Sequence, residues 1–218
     1  MIHLYGVVQE LEELPPVPGL EGAPLERRQI EGLELVVSRT ARELAAVSEE
    51  SVLAHATVVD QLMARSRAVL PVQFGRPFAD EQELSEAVRT KAQELERGLS
   101  RVRGCVEFGL RVLGGERAQG QASSGSSGRD YMLARLAETH ERDALSEELH
   151  EPLARLSRAC VRFGGASSDL LHAAYLVAEA RAASFREHVS RLATSHPELT
   201  VVCTGPWPPY TFAGGENT

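Results

Sequence analysis

Apolar residues fall along the chain in two periods, and the alternation between them sets out the elements. Residues 2–8 are short, apolar and bounded by charge, which predicts a strand starting almost at residue 1. Residues 10–31 are rich in Pro, Gly and Glu and read as a loop. Leu-Glu-Leu-Val-Val-Ser at 33–38 predicts a second, central strand. Ser48, followed by Glu49 and Glu50, is placed to cap a helix whose apolar face carries Val52, Ala56, Val59 and Met63. A short strand over 69–74 follows, with Pro71 confined to a start, edge or bulge because it cannot donate to a ladder. Asp80-Glu-Gln-Glu83 is a capping-box pattern, and behind it Leu84, Val88, Ala92, Leu95, Leu99 and Val102 form a long helical stripe. Gly104 ends that helix and 105–113 alternates as a strand.

Beyond a stretch of Gly, Ser and Gln the pattern resumes. A helix over 129–156 is predicted, with a broad apolar face of Leu133, Leu136, His140, Leu145, Leu149, Leu153 and Leu156. Strands at 159–163 and 170–178 follow. A helix carrying Ala182, Phe185, Val189 and Leu192 and a strand at 199–204 complete the series. This order does not alternate strictly between strand and helix, so an α+β arrangement with mainly antiparallel sheets is expected rather than a doubly wound parallel sheet. The expected organisation is an N-terminal domain at 1–114, a Gly/Ser-rich linker at 115–128, a smaller α+β domain at 129–205 and a Pro/aromatic tail at 206–218.

Composition narrows the function classes. The 218 residues, 43% hydrophobic and 25% charged, suffice to bury a core without a metal or disulfide staple. Net charge is −8, with 18 acids against 13 bases in residues 1–114 and 13 against 10 beyond. No segment is strongly basic, which argues against nucleic acid or an anionic lipid membrane as the main partner. Cys105, Cys160 and Cys203 are odd in number and far apart, so neither a disulfide framework nor a zinc ribbon is expected, and a reducing cytoplasm fits. The N-terminus lacks the pattern of a signal peptide, and no apolar run approaches a membrane span.

Catalytic constellations are not found. The seven histidines form no His-x-x-x-His or His-Glu-x-x-His pair, so each is expected to be structural or at the surface, and no metal site is expected. There is no Gly-x-Ser-x-Gly elbow and no phosphate-cradling glycine motif, so no catalytic residue and no cofactor is assigned. The concentrated feature is the tail, where Trp207, Tyr210 and Phe212 alternate with Pro206, Pro208 and Pro209 in a chain with 5% aromatics. The prolines restrict the backbone before any contact is made, which lowers the ordering cost of docking. Such a tail either docks on its own chain, the favoured reading, or forms part of a partner surface; Trp207, Pro208, Tyr210 and Phe212 are the candidate partner-binding residues.

Four passages carry a resemblance. Gly-Pro-Trp-Pro-Pro-Tyr-Thr-Phe at 205–212 resembles the closing signature of the gas vesicle GvpL/GvpF family. Its opening strand is similar to 1–8, which ends in Tyr-Gly-Val-Val. His55-Ala-Thr-Val-Val-Asp, followed by Val69-Leu-Pro-Val-Gln-Phe-Gly75, resembles its helix and following strand, and Ala173-Ala-Tyr-Leu-Val177 with Phe185 resembles a later block. Gln73 departs from the basic residue that the resemblance leads one to expect before Phe-Gly. The resemblance implies an N-terminal ferredoxin-like domain, a smaller α+β domain and an extended tail. It also implies a non-enzymatic accessory protein of gas vesicle formation that binds the hydrophobic major shell protein and other vesicle proteins, in the cytoplasm or retained as a minor component of the vesicle. Self-association is left open. The rival expectation is a ferredoxin-like enzyme or small-molecule binder, with a pocket around Tyr5, His55 or Glu107.

Overall fold

The structure is a computed structural model that describes residues 1–40, 48–75, 77–114, 128–164 and 169–214. Two compact units divide the chain. One holds residues 1–106 and 207–218, the other 107–206. Of the Gly/Ser-rich segment expected at 115–128, all but Gly128 lies outside the described residues.

In the first unit, β1 (Ile2–Gln9), β2 (Leu25–Ile30), β3 (Leu33–Arg39) and β4 (Ala68–Pro71) form a sheet in the order β2-β3-β1-β4, with every neighbouring pair antiparallel. Strand order and directions are those of a ferredoxin-like sheet. The helix α1 (Glu49–Arg65) crosses from β3 to β4, and α2 (Glu81–Val102) follows β4. The β1-to-β2 crossover carries only a short 3-10 turn at Leu20–Gly22. Val69 packs in the core beneath α1, whereas its neighbour Leu70 meets Gly98 of α2. Successive strand residues point to opposite faces, so the sheet lies between the two helices, and this is why β1 is buried along seven of its eight residues. A side chain at Gly98 would come within 2.9 Å of Leu70, so glycine sets how closely α2 approaches.

The caps form as expected. Ser48 accepts from the Ser51 amide at 3.1 Å, Asp80 accepts from the Glu83 amide at 2.9 Å, and the Glu83 carboxylate reaches back to the Ala79 amide at 2.6 Å. Two expectations are corrected. Residues 25–30 form β2 rather than loop; this edge strand carries Glu26, Arg27 and Arg28, whose charges mask its pattern. Arg27 pairs with Glu34 on β3 at 3.1 Å and Arg28 with Glu81 of α2 at 2.9 Å. The buried face of α1 is His55, Val58, Val59 and Leu62 rather than the Val52–Met63 stripe, and Val52 and Leu53 face solvent. The helix is rotated by roughly a fifth of a turn at ~100° per residue, which puts His55 against the sheet.

In the second unit β5 (Cys105–Leu113), β6 (Ala159–Arg162), β7 (Asp169–Ala178) and β8 (Thr200–Trp207) form a four-stranded antiparallel sheet in the order β6-β7-β5-β8. The helices are α3 (Gly128–Leu156) and α4 (Ala182–Ser195). Phe108, Phe185 and Tyr175 are fully buried, and the Phe108 and Phe185 rings stack at 4.9 Å. Only the C-terminal half of α3 is packed, through Ser146, Leu149, His150 and Leu153. Leu133 and Leu136, expected in the core, are 54% and 52% exposed. The buried face, continued toward the N-terminus, meets Arg142, Thr139 and Arg135, so the leucines lie on a different line of the helix.

Candidate functional site

The tail begins on β8, which runs through Trp207, three residues beyond the expected strand end. Pro208 and Pro209 are buried, and a 3-10 turn at Tyr210–Phe212 follows. The Tyr210 amide donates to the Pro208 carbonyl at 2.8 Å, and the Phe212 amide donates to that of Pro209 at 3.1 Å. Arg101, in the last turn of α2, donates to the carbonyls of Phe212 at 2.5 Å and Gly214 at 2.8 Å. Phe212 is buried, and Tyr210 packs on the core beneath α1 beside Val58, Val59 and Leu62. Burial, with Asp60 nearby, pushes the Tyr210 phenol up to about 12, and burial also raises the Asp60 carboxyl. Of the four candidate contact residues, Pro208 and Phe212 are taken up by the chain's own packing and Tyr210 is half-buried. Trp207 keeps 49% of its surface exposed.

A second cluster sits at the centre of the first unit. His3 on β1 and His55 on α1 are both fully buried. His55 Nε2 lies 2.8 Å from the Val72 carbonyl, and its Nδ1 lies 2.8 Å from His3 Nε2. A carbonyl only accepts, so His55 Nε2 carries the proton and His55 Nδ1 is a lone pair. His3 Nε2 must then donate to it, which leaves His3 Nδ1 as a buried lone pair, with no hydrogen-bond partner for that atom among the described residues. Phe74 lies 5.6 Å and 5.7 Å from the two rings, and Tyr5 stacks on His55 at 5.3 Å. Tyr5 sits where the β1–β3 register slips by one residue. Its hydroxyl accepts from the Leu20 amide at 2.7 Å and bonds Ser38 Oγ at 2.9 Å. A side chain at Gly19 would reach within 2.4 Å of that hydroxyl. Burial, then the neighbouring His55, pushes His3 down to about 4; burial lowers His55 also.

In the second unit, His150 Nδ1 bonds the buried Tyr175 hydroxyl at 2.8 Å, and His150 Nε2 faces Cys160 Sγ at 3.8 Å. Burial lowers His150, with the Arg162 charge adding to the effect, and raises the Cys160 thiol and Tyr175 phenol. Both conditions favour neutral groups, so this trio is held as an uncharged hydrogen-bonded set.

The structure therefore brings Tyr5 and His55 together, while Glu107 belongs to the second unit. Two surface depressions, of about 270 and 300 Å³, share Glu10 in their lining, and neither is lined by Tyr5, His55 or Glu107. Among the described residues no group of three or more His, Cys, Asp or Glu side chains is placed to hold a metal ion. No helix among them is long and apolar enough to cross a membrane. Sequence reasoning missed the His3–His55 pair because its members are 52 residues apart. The available signal was a histidine inside an apolar strand.

A family model described as gas vesicle synthesis protein GvpL/GvpF matches residues 1–214. Gas vesicle protein L of Streptomyces sp. is 32% identical over 183 residues, covering 74% of this chain and 68% of that protein. Gas vesicle protein F2 of Halobacterium salinarum is 27% identical over 217 residues, covering 97% and 91%. Two crystal structures share the fold. GvpF from Anabaena sp. PCC7120 has a TM-score of 0.79 at 19% identity, covering 99% of this chain and 97% of that one. GvpF from Microcystis aeruginosa has a TM-score of 0.79 at 16% identity, covering 98% of each.

Proposed function

The chain belongs to the gas vesicle synthesis protein GvpL/GvpF family, and we propose from that premise that it is an assembly factor. It binds the hydrophobic major shell protein, and other vesicle proteins, while the vesicle is formed. The whole-chain family match carries this reading. The physical role follows from what an apolar subunit needs before it is incorporated. Its surface is unsafe in water, and a partner that covers it reversibly while carrying a net charge of −8 keeps the complex dispersed.

Within that reading the tail divides its labour. Phe212, Pro208 and Tyr210 anchor the segment to the first unit, and Arg101 fixes its last turn. Trp207 is the residue offered outward, a large amphipathic ring on a backbone already ordered by its neighbours. The direct test is capture of the purified major shell protein by the purified full chain, compared with Trp207→Ala. Capture by the wild-type chain, weakened roughly tenfold or more in the variant, is the expected result, since interface tryptophans commonly carry more than ~1.4 kcal/mol. No capture by the wild-type chain would remove the assembly-factor reading. Equal capture by both would remove Trp207 from the contact and leave shell binding standing.

A further inference from the structure

The N-terminal half of α3 lies at the surface. Every residue from 128 to 144 is exposed, and Tyr131, Met132, Leu133 and Leu136 together place four large apolar side chains within six residues. Met132 is 72% exposed and Leu136 52%. At ~100° per residue Met132, Leu133 and Leu136 lie on one face of this stretch, with Tyr131 round the side, and together they form a patch of the kind that marks an interaction surface rather than the scattered single residues of an ordinary exterior.

The charges around this patch say what fits it. Residues seven apart share one line of a helix, and Arg129, Leu136 and Asp143 stand on such a line. Met132 and His140 lie four residues to either side of Leu136 near the same line, with Leu133 beside them. Followed from its N-terminal end, the line begins positive, passes through apolar positions and ends negative. A second helix of the same sequence laid antiparallel about Leu136 sets Arg129 against the other copy's Asp143, twice by symmetry. It also sets Leu136 on Leu136 and Met132 beside His140. A parallel copy would put like charge on like. The surface is therefore self-complementary under a two-fold axis, the geometry of an isologous dimer.

We propose that residues 129–143 of α3 pair antiparallel with the same stretch of a second copy of this chain, forming a weak homodimer. The contact spans about four helical turns and falls at or below the low end of specific interfaces, about 1,200 Å² in total, so a dissociation constant in the micromolar range is expected. The net charge of −8 on each copy opposes the approach, but at physiological salt that repulsion is screened beyond about 8 Å. The closely apposed charge pairs are screened less. This inference does not depend on shell binding.

The test is sedimentation velocity of the full chain over a range of concentrations at ~0.15 M salt. The wild-type chain is expected to shift from monomer to dimer as concentration rises. Leu136→Asp is expected to stay monomeric. Arg129→Asp and Asp143→Arg are each expected to weaken the dimer roughly tenfold, and the double variant, which restores the net charge, to recover it. Asp143→Arg is the sharper of the single changes, because it lowers the overall repulsion and still weakens the dimer if the pairing is as described. All these positions are exposed, so far-ultraviolet circular dichroism and melting should be unchanged. A wild-type chain that is monomeric throughout, a dimer that survives Leu136→Asp, or a double variant no tighter than the single ones would overturn the proposal. So would a monomer whose capture of the shell protein is abolished by Leu136→Asp, because the patch would then belong to that partner.

Discussion

Acidification should destabilise the first unit through His3, and the size of the effect follows from the tautomer chain. Protonating His3 Nδ1 places a charge in a fully buried position where that atom has no hydrogen-bond partner among the described residues, while His3 Nε2 is already bonded to His55. Burial, with His55 adding to it, lowers the folded-state value from 6.5 to about 4. A group whose folded value is depressed on a basic side chain favours the neutral form, so its full stability is present above pH 6.5 and is lost as pH falls toward 4. The difference of about 2.5 units at ~1.4 kcal/mol per unit is worth about 3 kcal/mol by pH 4. That is a large part of a typical domain's stability.

The perturbation that isolates it is His3→Gln. The Gln amide can donate toward His55 Nδ1 as the His3 Nε2 proton does, but cannot titrate. Urea unfolding at a series of pH values, followed by the fluorescence of Trp207, reports release of the docked tail, because the chain's one tryptophan, the last residue of β8, opens the segment that packs on the first unit. Other acid-sensitive contributions are common to both proteins, so the difference between the two slopes carries the answer. The wild-type protein should lose about 3 kcal/mol more than the variant between pH 6.5 and 4. Equal slopes, or a wild-type protein that gains stability on acidification, would refute the tautomer assignment and with it the bare Nδ1.

Phe212→Ala should destabilise the first unit by about 3 kcal/mol, because it opens a cavity under the docked tail, and urea unfolding followed at Trp207 measures it. Thiol labelling of the native chain with a disulfide reagent should proceed in the order Cys160, Cys203, Cys105, matching exposed, half-buried and buried positions; peptide mapping of the labelled protein reads the order.

Much of the fold was legible because local and global signals agree along it. In α2, a cap at Asp80, a back-bonding Glu83 and a stripe from Leu84 to Val102 all point to one helix. Legibility failed where a residue's place depends on something distant. Leu25–Ile30 is a strand because β3 supplies its partner, and nothing in Leu-Glu-Arg-Arg-Gln-Ile favours a half-buried surface by itself. The face that α1 buries is turned toward His55, whose bonds to His3 on β1 and to the Val72 carbonyl lie in parts of the chain distant from Val52. In α3 apolar periodicity implied burial along the whole helix, yet only its second half meets the sheet. The tail was visible as composition, but which of its aromatics face inward depends on Arg101 and the α1 core, which lie a hundred or more residues away.

The two outward apolar surfaces differ in strength in a way that links them. About half of Trp207 is exposed, roughly 120 Å² of a side chain of ~250 Å², and at ~25 cal/mol/Å² covering it yields about 3 kcal/mol. Set against the several kcal/mol lost on association, one tryptophan holds one apolar subunit at millimolar strength or worse unless neighbouring contacts add to it. A shell built of repeated subunits presents the same contact many times, and a chain paired through α3 presents Trp207 twice. The second engagement is then intramolecular, and avidity can exceed the single affinity by a factor of ~10² or more without any new contact. Leu136→Asp, far in sequence from Trp207, should therefore leave capture of isolated shell subunits unchanged and weaken retention on assembled vesicles by at least tenfold in a wash-off assay. Equal retention of the variant and the wild-type chain would show that pairing through α3 contributes nothing to holding the shell.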